Sequence, residues 1–279
     1  MHAAMKLVFD TIGAWTEIKL DIILEYASAY SRIMASQTNP ELYHIYIDAF
    51  AGPGKHISKR TGHFVPGSPQ IALDIDPPFR EYHFIDIDSA KIAALNELVA
   101  QRPEAHVHEG DCNSVLLEEV FPRARYEDYR RALCLLDPYG LHLNWVVIQT
   151  AGQMKSIDMF LNFPVADINR NVLWRNPENV DPADLQRMNA YWGDESWRKI
   201  AYGKPNLFDF EMKEDNETIA LAFKQRLHEV AKFEHVSEPL PMRNSKGAIV
   251  YYLFFASQRK VADNIIKYIF DKYRRRGTK

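Results

Sequence analysis

The stretch His44-Ile45-Tyr46-Ile47-Asp48-Ala49-Phe50-Ala51-Gly52-Pro53-Gly54 opens the reading of this chain. A β-rich run ends at an acid and passes into a glycine turn, which predicts a strand followed by a tight turn. The same grammar recurs downstream. Residues 82–86 form a second apolar run ending at Asp86, and residues 106–109 a short third one ending at Gly110-Asp111. Residues 132–136 run into Asp137-Pro138-Tyr139-Gly140, and residues 157–163 end at Asn162-Phe163-Pro164. Helical spacing fills the gaps: Ile92, Leu95, Leu98 and Val99, then 115–120, then a helix after Asn144 as its cap. Near-continuous apolar strands alternating with helices predict an α/β fold around a buried, largely parallel sheet.

Outward from this center, Ile18, Ile22, Ile23, Tyr26, Tyr30 and Ile33 predict a helix over 16–35. Residues 1–40 read as a helical lead and 41–279 as the main domain. Ser68 is expected to cap a helix with Pro69 in its first turn, which leaves 55–67 as a polar loop. Residues 165–212, rich in Asn, Pro and Trp (Trp174, Trp192, Trp197), read as a helical insertion after the fifth strand. An amphipathic helix over 216–233 follows. A strand near 235–242, a turn at Asn244-Ser245-Lys246-Gly247 and a strand over 248–256 then form a closing hairpin, and a last helix begins near Val261.

Hydrophobic residues make up 47% of the 279, enough for a substantial core, and no apolar run approaches a membrane span. A net charge of −3 excludes a global nucleic-acid-coating surface, so any such contact must use a local patch. Cys112 and Cys134, the only cysteines, fall in apolar stretches and read as buried thiols in a cytoplasmic protein.

In open α/β sheets ligands bind beyond the carboxyl ends of the strands. Asp48, Asp86 and Asp111 stand at three successive strand ends, with Phe50, Gly52 and Gly54 in the first turn. Asp48 can orient the turn or hold an amino group, Asp86 can accept from ribose hydroxyls, and Asp111 from an adenine amine. The competing reading is that each acid caps the helix that follows it. A dinucleotide fingerprint fits poorly, because Phe50 stands where its first glycine belongs.

"DAFAGPG" at 48–54, "GSP" at 67–69, "FIDID" at 84–88, "GDCN" at 110–113, "LDPYGL" at 136–141 and "LNFP" at 161–164 followed by Asn169-Arg170 together resemble the three-Cys-motif partner protein (TcmP) family. Residues 15–20 and "YYLFFAS" at 251–257 extend the likeness over nearly the whole chain. The resemblance implies a Rossmann-like class I methyltransferase fold, with a mostly parallel seven-stranded sheet closed by an antiparallel hairpin. It also implies S-adenosylmethionine (SAM) as cofactor and a partner protein with a three-cysteine motif, iron–sulfur and radical-SAM-like. The name describes the partner, in keeping with the two cysteines here.

Asp137-Pro138-Tyr139-Gly140 is the candidate catalytic loop. It is similar to the Asp-Pro-Pro-aromatic motif of enzymes that methylate exocyclic amines of bases. Asp137 and the Pro138 carbonyl would take the hydrogens of the amine, and Tyr139 would stack on the base. The aromatic sits one place early, with Gly140 in its usual position. Asn162 and Arg170 are candidates for substrate binding. Lys55, His56, Lys59, Arg60 and His63 in the 55–67 loop could touch phosphate. His106 and His108 alternate on one strand face without a third metal ligand. Arg123, Arg125, Arg130 and Arg131, and the tail Arg274, Arg275, Arg276 and Lys279, are local basic clusters. A SAM-dependent transfer to a nucleic-acid or nucleotide-like amine is thus set against a non-catalytic binding module that serves the three-Cys-motif partner.

Overall fold

Apolar runs too long to leave either face in water fold into strands buried on both sides. The computed structural model describes residues 9–205, 211–212 and 214–276. Its chain divides into two units, Met1–Leu135 with Ile269–Lys279, and Leu136–Tyr268.

The first unit contains, in chain order, β1 (Thr11–Ile12), α1 (Ala14–Ala35), β2 (Tyr43–Asp48), β3 (Lys55–Ser58), β4 (Phe64–Pro66), α2 (Ser68–Leu73), β5 (Glu81–Asp86), α3 (Ser89–Leu98), β6 (Ala105–Glu109), α4 (Cys112–Val115) and β7 (Arg130–Leu136). Strands β7, β2, β5 and β6 lie side by side in that order, all parallel. Ile45, Ile47, Phe84, Ile85, Leu133 and Cys134 are sealed within this sheet. Helix α1 buries Ile22, Ile23, Tyr26 and Tyr30 of the predicted stripe together with Leu20, while Ile18 and Ile33 are only half-buried. Both cysteines are free and buried, as expected.

Two local expectations change here. Helix α2 is capped by Gly67, with Ser68 its first residue and no side-chain cap bond. The expected 55–67 loop is a β-hairpin: β3 pairs antiparallel with β4, and β1 adds in parallel to β3. Its polar sequence hid the strands because a small surface ribbon has little apolar face to alternate.

The second unit contains α5 (Trp145–Met154), β8 (Ile157–Phe163), α6 (Val165–Asn171), α7 (Pro182–Trp192), α8 (Trp197–Tyr202), β9 (Lys204–Pro205), β10 (Glu211–Met212), α9 (Asn216–Glu229), β11 (His235–Val236), β12 (Leu240–Arg243) and β13 (Ile249–Ser257). Helix α10 (Lys260–Arg276) closes the described chain. Lys279 of the basic tail lies outside the described residues. Helices α6, α7 and α8 all lie within the 165–212 stretch. Trp192 and Trp197 are core residues there, whereas Trp174 is exposed. Strand β13 runs antiparallel to β8 and carries β11 and β12, also antiparallel.

The strands are therefore mixed, in place of the expected mostly parallel seven: four parallel strands in the first unit, and in the second β13 antiparallel to β8, β11 and β12. The single strand expected over 235–242 splits in two around Pro239, which has no N–H for a ladder. At the break, the Ser237 hydroxyl accepts from the Phe255 N–H at 3.2 Å and keeps that donor satisfied. Among the described residues no helix is long and apolar enough to cross a membrane.

Candidate functional site

Strand β2 delivers Asp48 into full burial, where its Oδ1 accepts from the Phe50 N–H at 3.3 Å. That is the turn-orienting role. The turn needs glycine: Gly52 has φ +63° and Gly54 φ +78°, and a Cβ on Gly54 would lie 2.5 Å from Leu98 Cδ2. Strand β5 brings Asp86 beside it. One Asp86 oxygen accepts from Gly52 N–H at 2.9 Å and the other from Asp88 N–H at 2.9 Å. The Asp86 carbonyl accepts from Gly110 N–H at 3.1 Å, tying in the end of β6. Gly52, Asp86, Asp88 and Gly110 are thus bonded together across the ends of β5 and β6 and the turn after β2, whose start Asp48 holds through Phe50.

Asp111 follows that assembly and is exposed. Its Oδ1 caps α4, accepting from Asn113 N–H at 2.9 Å and Ser114 N–H at 3.3 Å, so the capping role is real here. Asp88 likewise caps α3. Between Asp86 and Asp88 stands Ile87, 74% exposed, an apolar side chain at a polar strand end that sequence reasoning passed over.

In the second unit, Asp137 is half-buried, Pro138 buried and Tyr139 70% exposed. Gly140 has φ +62°, and a Cβ there would come within 2.7 Å of the Asp167 Oδ2. A carboxylate from α6 therefore fills the space a side chain at 140 would take. Asp167 Oδ1 accepts from the Asn171 amide at 2.9 Å. No local pattern announces Asp167, which stands 27 positions downstream of Gly140. Asn162 is 8% exposed, and its Oδ1 is buried without a hydrogen-bond partner; its carbonyl accepts from the Tyr191 hydroxyl at 3.0 Å. Arg170 is exposed, and its carbonyl accepts from Trp174 Nε1–H at 2.6 Å.

A cofactor with a ribose and a purine fits the first assembly. Each Asp86 oxygen spends one acceptor direction on backbone and keeps another for a hydroxyl. Glycine backbone offers close approach, and Ile87 an apolar face.

His106 and His108 belong to a separate cluster. Both rings stack on the buried His83, at 5.1 and 5.3 Å. His83 Nδ1 bonds His108 Nε2 at 3.0 Å, His83 Nε2 bonds Glu81 Oε1 at 2.7 Å, and His108 Nδ1 bonds Glu119 Oε2 at 3.1 Å. Glu81 is also met by Arg123 and, at 3.2 Å, by Arg130. Burial works to raise the Glu81 carboxyl, but bonds from His83 and Arg123 outweigh it and hold it far below its usual range. Among the described residues no group of three or more His, Cys, Asp or Glu could hold a metal.

Burial lowers His83 and His108 against the pull of their carboxylates, and it pushes buried His44 down to about 4, with Arg80 adding to the shift. The unfolded chain takes these protons near pH 6.5 and the folded chain only lower. Stability is therefore complete above pH 6.5 and falls as pH drops toward 4. For His44 alone the loss should reach about 2 kcal/mol by pH 5. Melting temperatures between pH 8 and 5 should fall, less steeply in His44→Gln; a flat profile would show that these imidazoles are not buried neutral.

No family model matches the chain, and no curated protein matches it. Solved structures do. A Legionella pneumophila protein of the family model DUF519 aligns over 91% of both chains with 11% identity and a TM-score of 0.54, so the two share a fold. A putative methyltransferase from Thermobifida fusca aligns over 86% of this chain and 82% of its own, with 15% identity and a TM-score of 0.42. Fold and turn together define an α/β protein with acids and a positive-φ glycine turn at the ends of its parallel strands.

Proposed function

We propose that the chain is a class I methyltransferase that moves a methyl group from SAM to an amine of a nucleic-acid or nucleotide-like acceptor. The observation that carries the reading is Asp86, fixed by two backbone N–H groups beside a positive-φ glycine turn. Asp86 would hold the ribose hydroxyls, Ile87 would lie on the purine, and Asp111 would take its amine with the acceptor capacity left over from capping. Bound SAM supplies an activated methyl, so the protein's task is alignment. Asp137 and the Pro138 carbonyl would accept the hydrogens of the acceptor amine and free its lone pair, and exposed Tyr139 would offer a stacking face. Asn162 Oδ1, buried and unpartnered, suits a further amine hydrogen, and Arg170 an acceptor phosphate. The setting is cytoplasmic, and a three-Cys-motif protein is the proposed partner.

A second reading has its own observation. The Asp167 carboxylate stands where a side chain of the fourth loop residue would be, which favors a SAM-binding module that assists the partner without transferring a methyl. Thermal unfolding separates the cofactor question from the catalytic one. SAM at about a hundred times its dissociation constant should add about 2.7 kcal/mol, a rise of roughly 5 °C. S-adenosylhomocysteine should act alike and NAD not at all. No shift with either SAM compound would remove the basis of both readings.

A further inference from the structure

The β3–β4 hairpin is used by neither the sheet nor the proposed transfer chemistry. Its residues 55–66 read Lys-His-Ile-Ser-Lys-Arg-Thr-Gly-His-Phe-Val-Pro: three fixed cations, two histidines and no acid, within a chain of net charge −3. Lys55, Lys59, Arg60 and His63 are exposed. Arg60 reaches Glu17 at 3.6 Å but remains largely in solvent. Phe64, an aromatic ring with no core to fill, is 61% exposed and meets Phe9 edge-to-face at 5.1 Å.

The hairpin is also firmly built. The Ser58 hydroxyl accepts from Arg60 N–H at 3.2 Å and Thr61 N–H at 3.3 Å, closing the tip. At the root, Gly67 N–H donates to the Gly54 carbonyl at 2.8 Å, so the hairpin is anchored on the glycine turn itself. Beside it lies a groove of about 540 Å³ lined by Phe9, Lys55, Phe64, Val65, Pro66 and Gln70.

We propose that this hairpin and groove bind a single-stranded nucleic acid, with a base stacked on Phe64 and phosphates along Lys55, Lys59 and Arg60. Cations alone would attract any polyanion. Cations interleaved with an exposed aromatic match a polyanion that carries stackable faces, which a single strand offers and a duplex or an acidic protein does not. The surface rests on the proposed function only in naming what the strand is for: it would hold the methyl acceptor next to the cofactor turn.

The test is fluorescence anisotropy of the full chain with a labeled single-stranded RNA of about 12 nucleotides at about 50 mM salt, repeated at about 200 mM. Binding should weaken with salt. Lys55→Ala, Lys59→Ala and Arg60→Ala combined should flatten the dependence of log Kd on log salt by about 2. Phe64→Ala should weaken binding about tenfold, and since the ring is mostly in solvent, its melting temperature should stay near wild type. The proposal is overturned by no binding, by full affinity in Phe64→Ala, or by equal competition from poly-glutamate or a duplex. Thermal shift with SAM on the same samples keeps the two claims apart. SAM binding without RNA binding defeats the hairpin alone, and RNA binding without SAM binding defeats the methyltransferase reading alone.

Discussion

Phe223→Ala should destabilize the second unit by about 3–5 kcal/mol, the range for deleting a fully buried aromatic. Phe223, on α9, is completely buried at the center of a ring cluster. Its centroid lies 4.7 Å from Phe163, 5.3 Å from Trp192, 5.7 Å from Tyr191 and from Phe254, and 6.0 Å from Trp145. No neighbor is free to fill the hole, because each ring is already engaged from another element, and a close-packed core relaxes only partly. Phe223→Leu should cost less, since it keeps apolar volume. Four of the five tryptophans lie in this unit, so urea unfolding followed by their fluorescence reports on it directly. A loss under about 1 kcal/mol would mean that the cluster is loosely packed. The effect also bears on the site: Phe163 ends β8 beside Asn162, whose carbonyl the Tyr191 hydroxyl holds.

The strands that carry this architecture were readable because burial on both faces leaves a continuous apolar run, as in residues 132–136. The antiparallel hairpin that closes the sheet was expected from the turn at 244–247 and the family resemblance, and β12 and β13 pair in that way. The composition of 249–257 by itself carries no direction, since strand direction is set by where the chain returns. The hairpin at 55–66 was hidden for the opposite reason: a surface ribbon of basic and polar residues lacks the alternation that betrays a half-buried strand. At the site, Asp48, Asp86 and the glycines were legible because acid and turn follow their strands at once. Ile87 was passed over as one more apolar residue, although its exposure makes it unusual. Asp167 left no trace in the sequence, because its meeting with Gly140 is a tertiary contact between a loop and a later helix.

Asp86 is the position at which local structure and proposed ligand binding are most closely joined, and Asp86→Ala should nearly abolish the SAM-induced shift. Bonds to a charged group contribute about 1.5–3 kcal/mol each. Losing a ribose grip worth about 3 kcal/mol would raise the dissociation constant roughly a hundredfold. At a SAM concentration that adds about 2.7 kcal/mol to the wild type, the variant would then gain about 0.4 kcal/mol. The more informative variant is Asp86→Asn. Both carboxylate oxygens accept backbone N–H groups, from Gly52 and Asp88, at 2.9 Å. An amide keeps only one acceptor, so its NH₂ must face one of those donors and drive it off. The near-isosteric change should therefore disturb the turn almost as much as truncation does, lowering the melting temperature without ligand as well as the shift with it. If Asp86→Asn instead bound SAM normally, Asp86 would be a turn residue whose capacity for a second acceptor bond goes unused, and the ribose would have to be held elsewhere.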